Sequence, residues 1–481
     1  MTKIREKKQL SFFMAVLPIF AMILFLGVGY ITYGLRAEPM ILLSAGVAAI
    51  IAYFHGYNWD EILQAIVDKL SKAMGAILIL ISVGLLIGAW MIGGTIPMMV
   101  YYGLKYIDPS YFYVSAFLLT AITSTCTGTS WGSAGTVGVA LMGVAIGLNL
   151  SLPIAAGAVV SGAYFGDKLS PLSDSTNLAS IAAGTPLYTH IGHMLWTTGP
   201  GFIICCAIYG FIGVSQHIAH VDTPQRIIDI TQSLANVYSF NLLVILPPIL
   251  VLIGSFTKMP TIPVLFLSSL IAMLNANLIQ GFSLTDVCES IIGGFKLSMI
   301  ANQELVANFP PDVARLLERG GMIAMMSTLV ICFCAFAFAG TMTVAKSLDI
   351  VINKLIAGVK SVFGLIATTL TTTILICGIT SNGQLSVLLP GEMFQNTYKK
   401  FGLAPQNLSR CAEDAGTVIE PILPWTAAGV YMATMLGVGT LEYLPYAFLN
   451  YTGVIFALIW GATGIGIAKL SKNFTEDEKK A

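Results

Sequence analysis

The sequence predicts an all-α, polytopic membrane protein with about 10–12 transmembrane helices. Three observations carry that prediction. Of 481 residues, 56% are hydrophobic and only 10% are charged, and the mean hydropathy is +0.82. A soluble domain carries roughly 25% charged residues because charge wets its surface, so lipid must replace water around most of this chain. Apolar runs able to span a bilayer recur near 11–32, 38–54, 74–99, 111–126, 195–214, 239–257, 260–279, 322–341, 361–378 and 446–468. The connections are short, and the longest, around 215–237 and 301–320, are too small to hold a core of their own. Residues 1–481 are therefore expected to form a single membrane domain. A formal net charge of zero points to no nucleic-acid partner.

Taken in order, Lys3, Arg5, Lys7 and Lys8 precede the first apolar run, which lacks a small-residue cleavage site. It reads as a first membrane helix rather than a signal peptide. The segment Trp59–Lys72 is amphipathic, with Ile62, Leu63, Ile66 and Leu70 on one face, and is expected at the interface. Shorter apolar stretches lie near 134–150, 152–165 and 426–438. Basic residues at the N-terminus, at Lys69 and Lys72, and at Lys469, Lys472, Lys479 and Lys480 place both termini in the cytoplasm. The cysteines sit mainly in apolar runs, where a thiol acts as a small hydrophobe.

A weak self-similarity recurs at an offset of 250 residues. Gly128-Thr129-Ser130-Trp131-Gly132-Ser133 aligns with Gly378-Ile379-Thr380-Ser381-Asn382-Gly383, and Gly166 with Gly416, given compensating gaps near 150 and 400. Each half runs from a long apolar helix through a Ser/Thr/Gly cluster to an acidic, Pro-containing break. Paired interrupted segments of this kind point to a transport site near the bilayer midplane. The repeat cores are expected over 74–190 and 322–438.

The first break contains Gly166, Asp167, Lys168, Ser170, Pro171, Ser173, Asp174, Thr176 and Asn177. Gly166 and Pro171 would unwind a helix, which a membrane tolerates only where the backbone lines a cavity or binds something. Asp167, Ser170, Asp174, Thr176 and Asn177 supply the hard oxygens that suit Na⁺, and sodium is assigned to Asp167, Asp174 and Asn177. The bland alternative is a solvated loop. The second break holds Glu413, Asp414, Thr417, Glu420 and Pro421, with Glu413 and Thr417 sharing a helical face. Acidic groups inside a membrane are functional by default. Burial favours the protonated carboxyl and a bound cation the ionised one, so one oxygen cage can hold H⁺ or Na⁺ in turn. Here the alternative is an interfacial turn.

Thr129, Ser130, Ser133, Thr380, Ser381 and Asn382 fall where apolar stretches must turn back, which suits the tips of re-entrant hairpins. His190 and His193 can respond to pH near neutrality, or simply anchor at the interface. No P-loop, nucleotide fingerprint, H-E-x-x-H or nucleophile elbow occurs. An enzyme is not expected, no cofactor is called for, and transport must draw on an ion gradient.

The run Gly166-Asp167-Lys168-Leu169-Ser170-Pro171-Leu172-Ser173-Asp174-Ser175-Thr176-Asn177-Leu178-Ala179 resembles the signature of the NhaC family of bacterial Na⁺/H⁺ antiporters. Thr127–Thr136, Thr185–His190 and Glu413–Thr417 are similar to it as well, and the resemblance covers roughly 10–470. It implies two inverted repeats, each with a scaffold, a re-entrant hairpin and an unwound helix, in the bacterial plasma membrane. It also implies that cytoplasmic Na⁺ is exchanged for external protons. Ser381-Asn382-Gly383 matches in part the sodium-holding hairpin tip of that superfamily, whose members commonly form homodimers. The same family includes malate/lactate exchangers coupled to protons and sodium, so a small organic anion is the alternative cargo, and an amino-acid antiporter a further one.

Overall fold

The computed structural model describes residues 7–215, 223–257 and 259–470. Lys3, Arg5, Lys472, Lys479 and Lys480, which carry much of the expectation for the termini, lie outside them. The described residues are helical throughout, with one isolated bridge between Leu403 and Lys469.

The first helices are α1 Phe12–Phe25, α2 Ala37–Phe54 and α3 Trp59–Ile92. The helix α3 opens on a capping box, Asn58 accepting from the Glu61 amide while Glu61 bonds back. The stretch expected as an interfacial segment is thus continuous with the following span, because nothing after Lys72 breaks the helix. The break comes instead at Gly93–Gly94, inside the expected 74–99 run. Gly94 is left-handed at φ 83° and starts α4 Thr95–Tyr106 on a new axis.

Next come α5 Phe112–Thr127, α6 Ser130–Gly147, α7 Leu152–Leu169, α8 Asp174–Ala183 and α9 Leu187–Ser215. The 215–237 connection carries the amphipathic helix α10 Thr223–Val237, bent by 102° from the following segment. Then follow α11 Leu246–Phe256, α12 Thr261–Leu278, α13 Leu284–Gly293, α14 Met326–Val344 and α15 Ser347–Ala357. The series closes with α16 Val362–Thr380, α17 Gly383–Lys400, α18 Pro405–Ala415, α19 Ala427–Leu436 and α20 Phe448–Thr463.

Eight of these helices are long and apolar enough to cross a membrane, or ten if each of two bent pairs makes one span. This is a multi-pass membrane protein. Burial sorts the spans: 83% of the Ser130–Gly147 window lies inside the protein, against 33% for Leu187–Ser215. So α6 is central, while α9 turns most of its surface to lipid.

One close contact organises the centre. Gly162 and Gly166 of α7 lie flat on α5, where a Cβ on either would meet the α5 backbone around Phe117, Ala121 and Thr125. The Ser124 hydroxyl donates to Ala163 O at 2.5 Å across the same seam.

Candidate functional site

Two helix ends meet two breaks at the middle of the molecule. The helix α5 stops at Gly128, left-handed at φ 70°, and the next residue, Thr129, is extended and caps α6 by accepting from Gly132 N at 3.2 Å. The helix α16 stops the same way at Ser381, left-handed at φ 52°, and Asn382 caps α17 by accepting from Leu385 N at 2.9 Å. The two tips are 253 residues apart. That separation also relates the starts of α7 and α18 at Leu152 and Pro405, and the N-caps of α8 and α19 at Ser173 and Thr426. It relates the left-handed C-caps of the last pair as well, Gly184 at φ 72° and Gly437 at φ 68°. The offset of 250 is thereby corrected: Gly378 is still helical, and no compensating gaps are needed. With the shift of three, Asp167 corresponds to Glu420 rather than Gly166 to Gly416.

The two acids have matching surroundings. Asp167 accepts from Ser130 Oγ at 2.6 Å and Ser173 Oγ at 2.5 Å, that is, from the first residue beyond its tip and from the cap of its break. Glu420 faces the backbone amides of Gly383, the first residue beyond the other tip, and of Ala428. Any Cβ at Gly383 would run into the Glu420 carboxylate. The Thr426 cap donates to the Glu420 main-chain oxygen at 2.6 Å. Both acids line a cavity of about 750 Å³ together with Thr129, Ser130, Asp174, Asn177, Ser381, Asn382 and Thr417. Among the described residues lining it there are three carboxylates, Asp167, Asp174 and Glu420, and no Lys, Arg or His.

Behind the wall lies a second polar layer. Thr417 Oγ1 donates to Glu413 Oε1 at 2.8 Å, while Glu413 Oε2 has no hydrogen-bond partner. Lys168 and Asp414, both buried, form an ion pair, and Thr197 Oγ1 donates to the same Asp414 oxygen at 3.1 Å. His190 Nδ1 contacts Ser409 Oγ at 2.8 Å and His193 Nε2 contacts Asn407 Oδ1 at 3.1 Å. Both histidines are buried between α9 and α18.

A sequence profile of the Na⁺/H⁺ antiporter family matches residues 162–465, the stretch that carries both breaks and the second tip. The chain belongs to the Na⁺/H⁺ antiporter family. It is 55% identical to an uncharacterized Na⁺/H⁺ antiporter of Haemophilus influenzae, covering 95% of this chain and 96% of that one. It is 37% identical to the Na⁺/H⁺ antiporter NhaC of Alkalihalophilus pseudofirmus over 90% of this chain and 92% of the relative. It is also 32% identical to the malate-2H⁺/Na⁺-lactate antiporter of Bacillus subtilis, over 92% and 93% of the two chains.

In this family member, several residues singled out by sequence commit their side-chain hydrogen bonds to nearby backbone, and of these only Asn177 lines the cavity. Ser170 Oγ donates to Thr125 O at 2.8 Å and ties the break to α5. Thr176 Oγ1 donates to Asp167 O at 3.0 Å. The Asn177 amide donates to Pro171 O at 3.0 Å and Ser173 O at 2.7 Å, closing the break on itself. Ser133 Oγ donates to Thr129 O at 2.9 Å, and Thr380 Oγ1 to Ile376 O at 2.8 Å. Sequence reasoning missed Tyr164, which is buried and lines the cavity. Its place three residues before Asp167, matching Thr417 before Glu420, was the available signal.

Proposed function

We propose that this protein exchanges cytoplasmic Na⁺ for external H⁺ across the bacterial plasma membrane, through the cavity between the two tips. The observation that carries the reading, beside family membership, is the polarity of that cavity. A chamber with three carboxylates and no basic side chain among its described lining attracts cations and repels organic anions. Asp167 and Glu420 are the groups that alternate between a proton and sodium, with Ser130, Ser173 and the amides at Gly383 and Ala428 holding the ionised form. Asp174 sits at the first turn of α8 on the cavity lining and serves as the entry carboxylate. The cores around 74–190 and 322–438 act as inverted repeats whose tips and breaks assemble one site.

The malate/lactate reading draws on a relative's name, but among the described residues the cavity lining offers an organic anion no cationic side chain. The test is exchange in proteoliposomes with an acid interior. External sodium alone is expected to dissipate the pH gradient. Dissipation only when malate and lactate are present on opposite sides would overturn the proposal in favour of the organic-anion exchanger. Asp167→Asn is expected to abolish the sodium response, and wild-type sodium dependence in that variant would remove Asp167 from the site.

A further inference from the structure

We propose that the Tyr164 hydroxyl is a direct oxygen ligand of the transported monovalent cation, bridging Asp167 and Glu420 so that the two breaks form one site. The inference rests on the antiporter reading and names a residue within it. Tyr164 is 2% exposed and its hydroxyl has no hydrogen-bond partner, although the side chain lines the cavity. A buried hydroxyl left unpaired is expensive unless something transient completes it. The Asp167 and Glu420 carboxylates and the Ser130 hydroxyl line the same cavity beside it.

The neighbouring oxygens explain why a further ligand is needed. Each Asp167 oxygen already accepts a serine hydroxyl, and Glu420 faces two backbone amides. A hard cation between them needs neutral oxygens to replace its water, and a phenol offers two lone pairs while turning its proton toward Ser130. The second half carries a threonine hydroxyl in the equivalent place, and its proton is already engaged. At the matching position, Thr417 commits its hydroxyl to Glu413 at 2.8 Å. The site is therefore asymmetric, with its free hydroxyl on the first break.

The test compares wild-type protein and Tyr164→Phe, which removes one oxygen and keeps the ring. Sodium is titrated in proteoliposomes, and sodium-induced thermal stabilisation is read in detergent on the folded fraction. The expected result is a KM for Na⁺ raised by about tenfold, the scale of one lost ligand, with maximal exchange kept within about threefold and the thermal response shifted to matching sodium concentrations. An unchanged KM and an unchanged sodium midpoint in the phenylalanine variant would overturn the proposal. If the variant reconstitutes poorly, the sodium midpoint in detergent decides in the same way. Absence of any sodium response in the wild type would instead overturn the antiporter reading, so the two failures are distinguishable.

Discussion

At Asp414 the chain places a carboxylate with no exposure against Lys168, itself 2% exposed, and α20 seals the pair from the other side. A Cβ on Gly453 would stand 2.6 Å from Asp414 Oδ1 and 3.3 Å from Lys168 Nζ, so only glycine leaves the pair room. Breaking such a pair from one side strands a charge in a low-dielectric interior, which costs about 3–5 kcal/mol, whereas replacing both partners by apolar groups is close to neutral. Asp414→Asn is accordingly expected to lower stability in detergent by that amount, and Lys168→Met with Asp414→Leu to recover most of it. A thermal-unfolding double-mutant cycle measures the difference; equal losses for the single and the double variant would rule out stranding as the cause. Gly453→Ala is expected to destabilise in the same direction by displacing Asp414. The pair joins residues 246 apart in the sequence, which is why its members could be singled out beforehand but their partnership could not.

Among the elements, the seam between α5 and α7 fixes how the first tip meets the first break. Gly162 and Gly166 let the two backbones touch, and the contact carries Asp167 to within reach of Ser130 at 2.6 Å. Gly166→Leu is expected to separate the helices and abolish folded protein, read as loss of the monodisperse peak in size-exclusion chromatography. Gly199→Leu on α9, with nothing near its Cβ, is the control expected to leave that peak intact. Much of this level was legible in the sequence. Apolar length gave most spans, and the coincidence of Gly, Pro and acids gave both breaks. What the sequence misplaced was register and continuity. The second tip lies at Ser381, a non-glycine residue in left-handed geometry, so matching glycine to glycine set the repeat three residues early. The helix α3 runs through a polar-to-apolar change in composition because composition alone does not end a helix; Gly94 does. Tyr164 escaped notice because an aromatic in an apolar run reads as packing until its hydroxyl is seen to lack a partner.

For the molecule as a whole, if Asp167 and Glu420 of the one chamber hold the cargo as proposed, protons and sodium compete for the same oxygens. Protonating either carboxyl removes the charge that holds the cation, so lowering the pH must weaken sodium binding, and by reciprocity sodium must release protons. The sign is fixed: within the range where these carboxyls titrate, the KM for Na⁺ rises as the pH falls, by up to about tenfold per unit for each proton displaced. Saturating sodium overcomes the effect, so maximal exchange is expected to stay level while the KM moves. Initial rates in proteoliposomes across a pH series, each with a full sodium titration, measure this directly. A maximal rate that falls with pH at constant KM would mean that the proton binds elsewhere. Glu413 is then the group to suspect, because it is buried, carries one oxygen without a partner, and stands outside the cavity behind Thr417. Glu413→Gln separates the two arrangements, leaving the competitive pH dependence in place if Asp167 and Glu420 carry the proton and removing the pH dependence if Glu413 does.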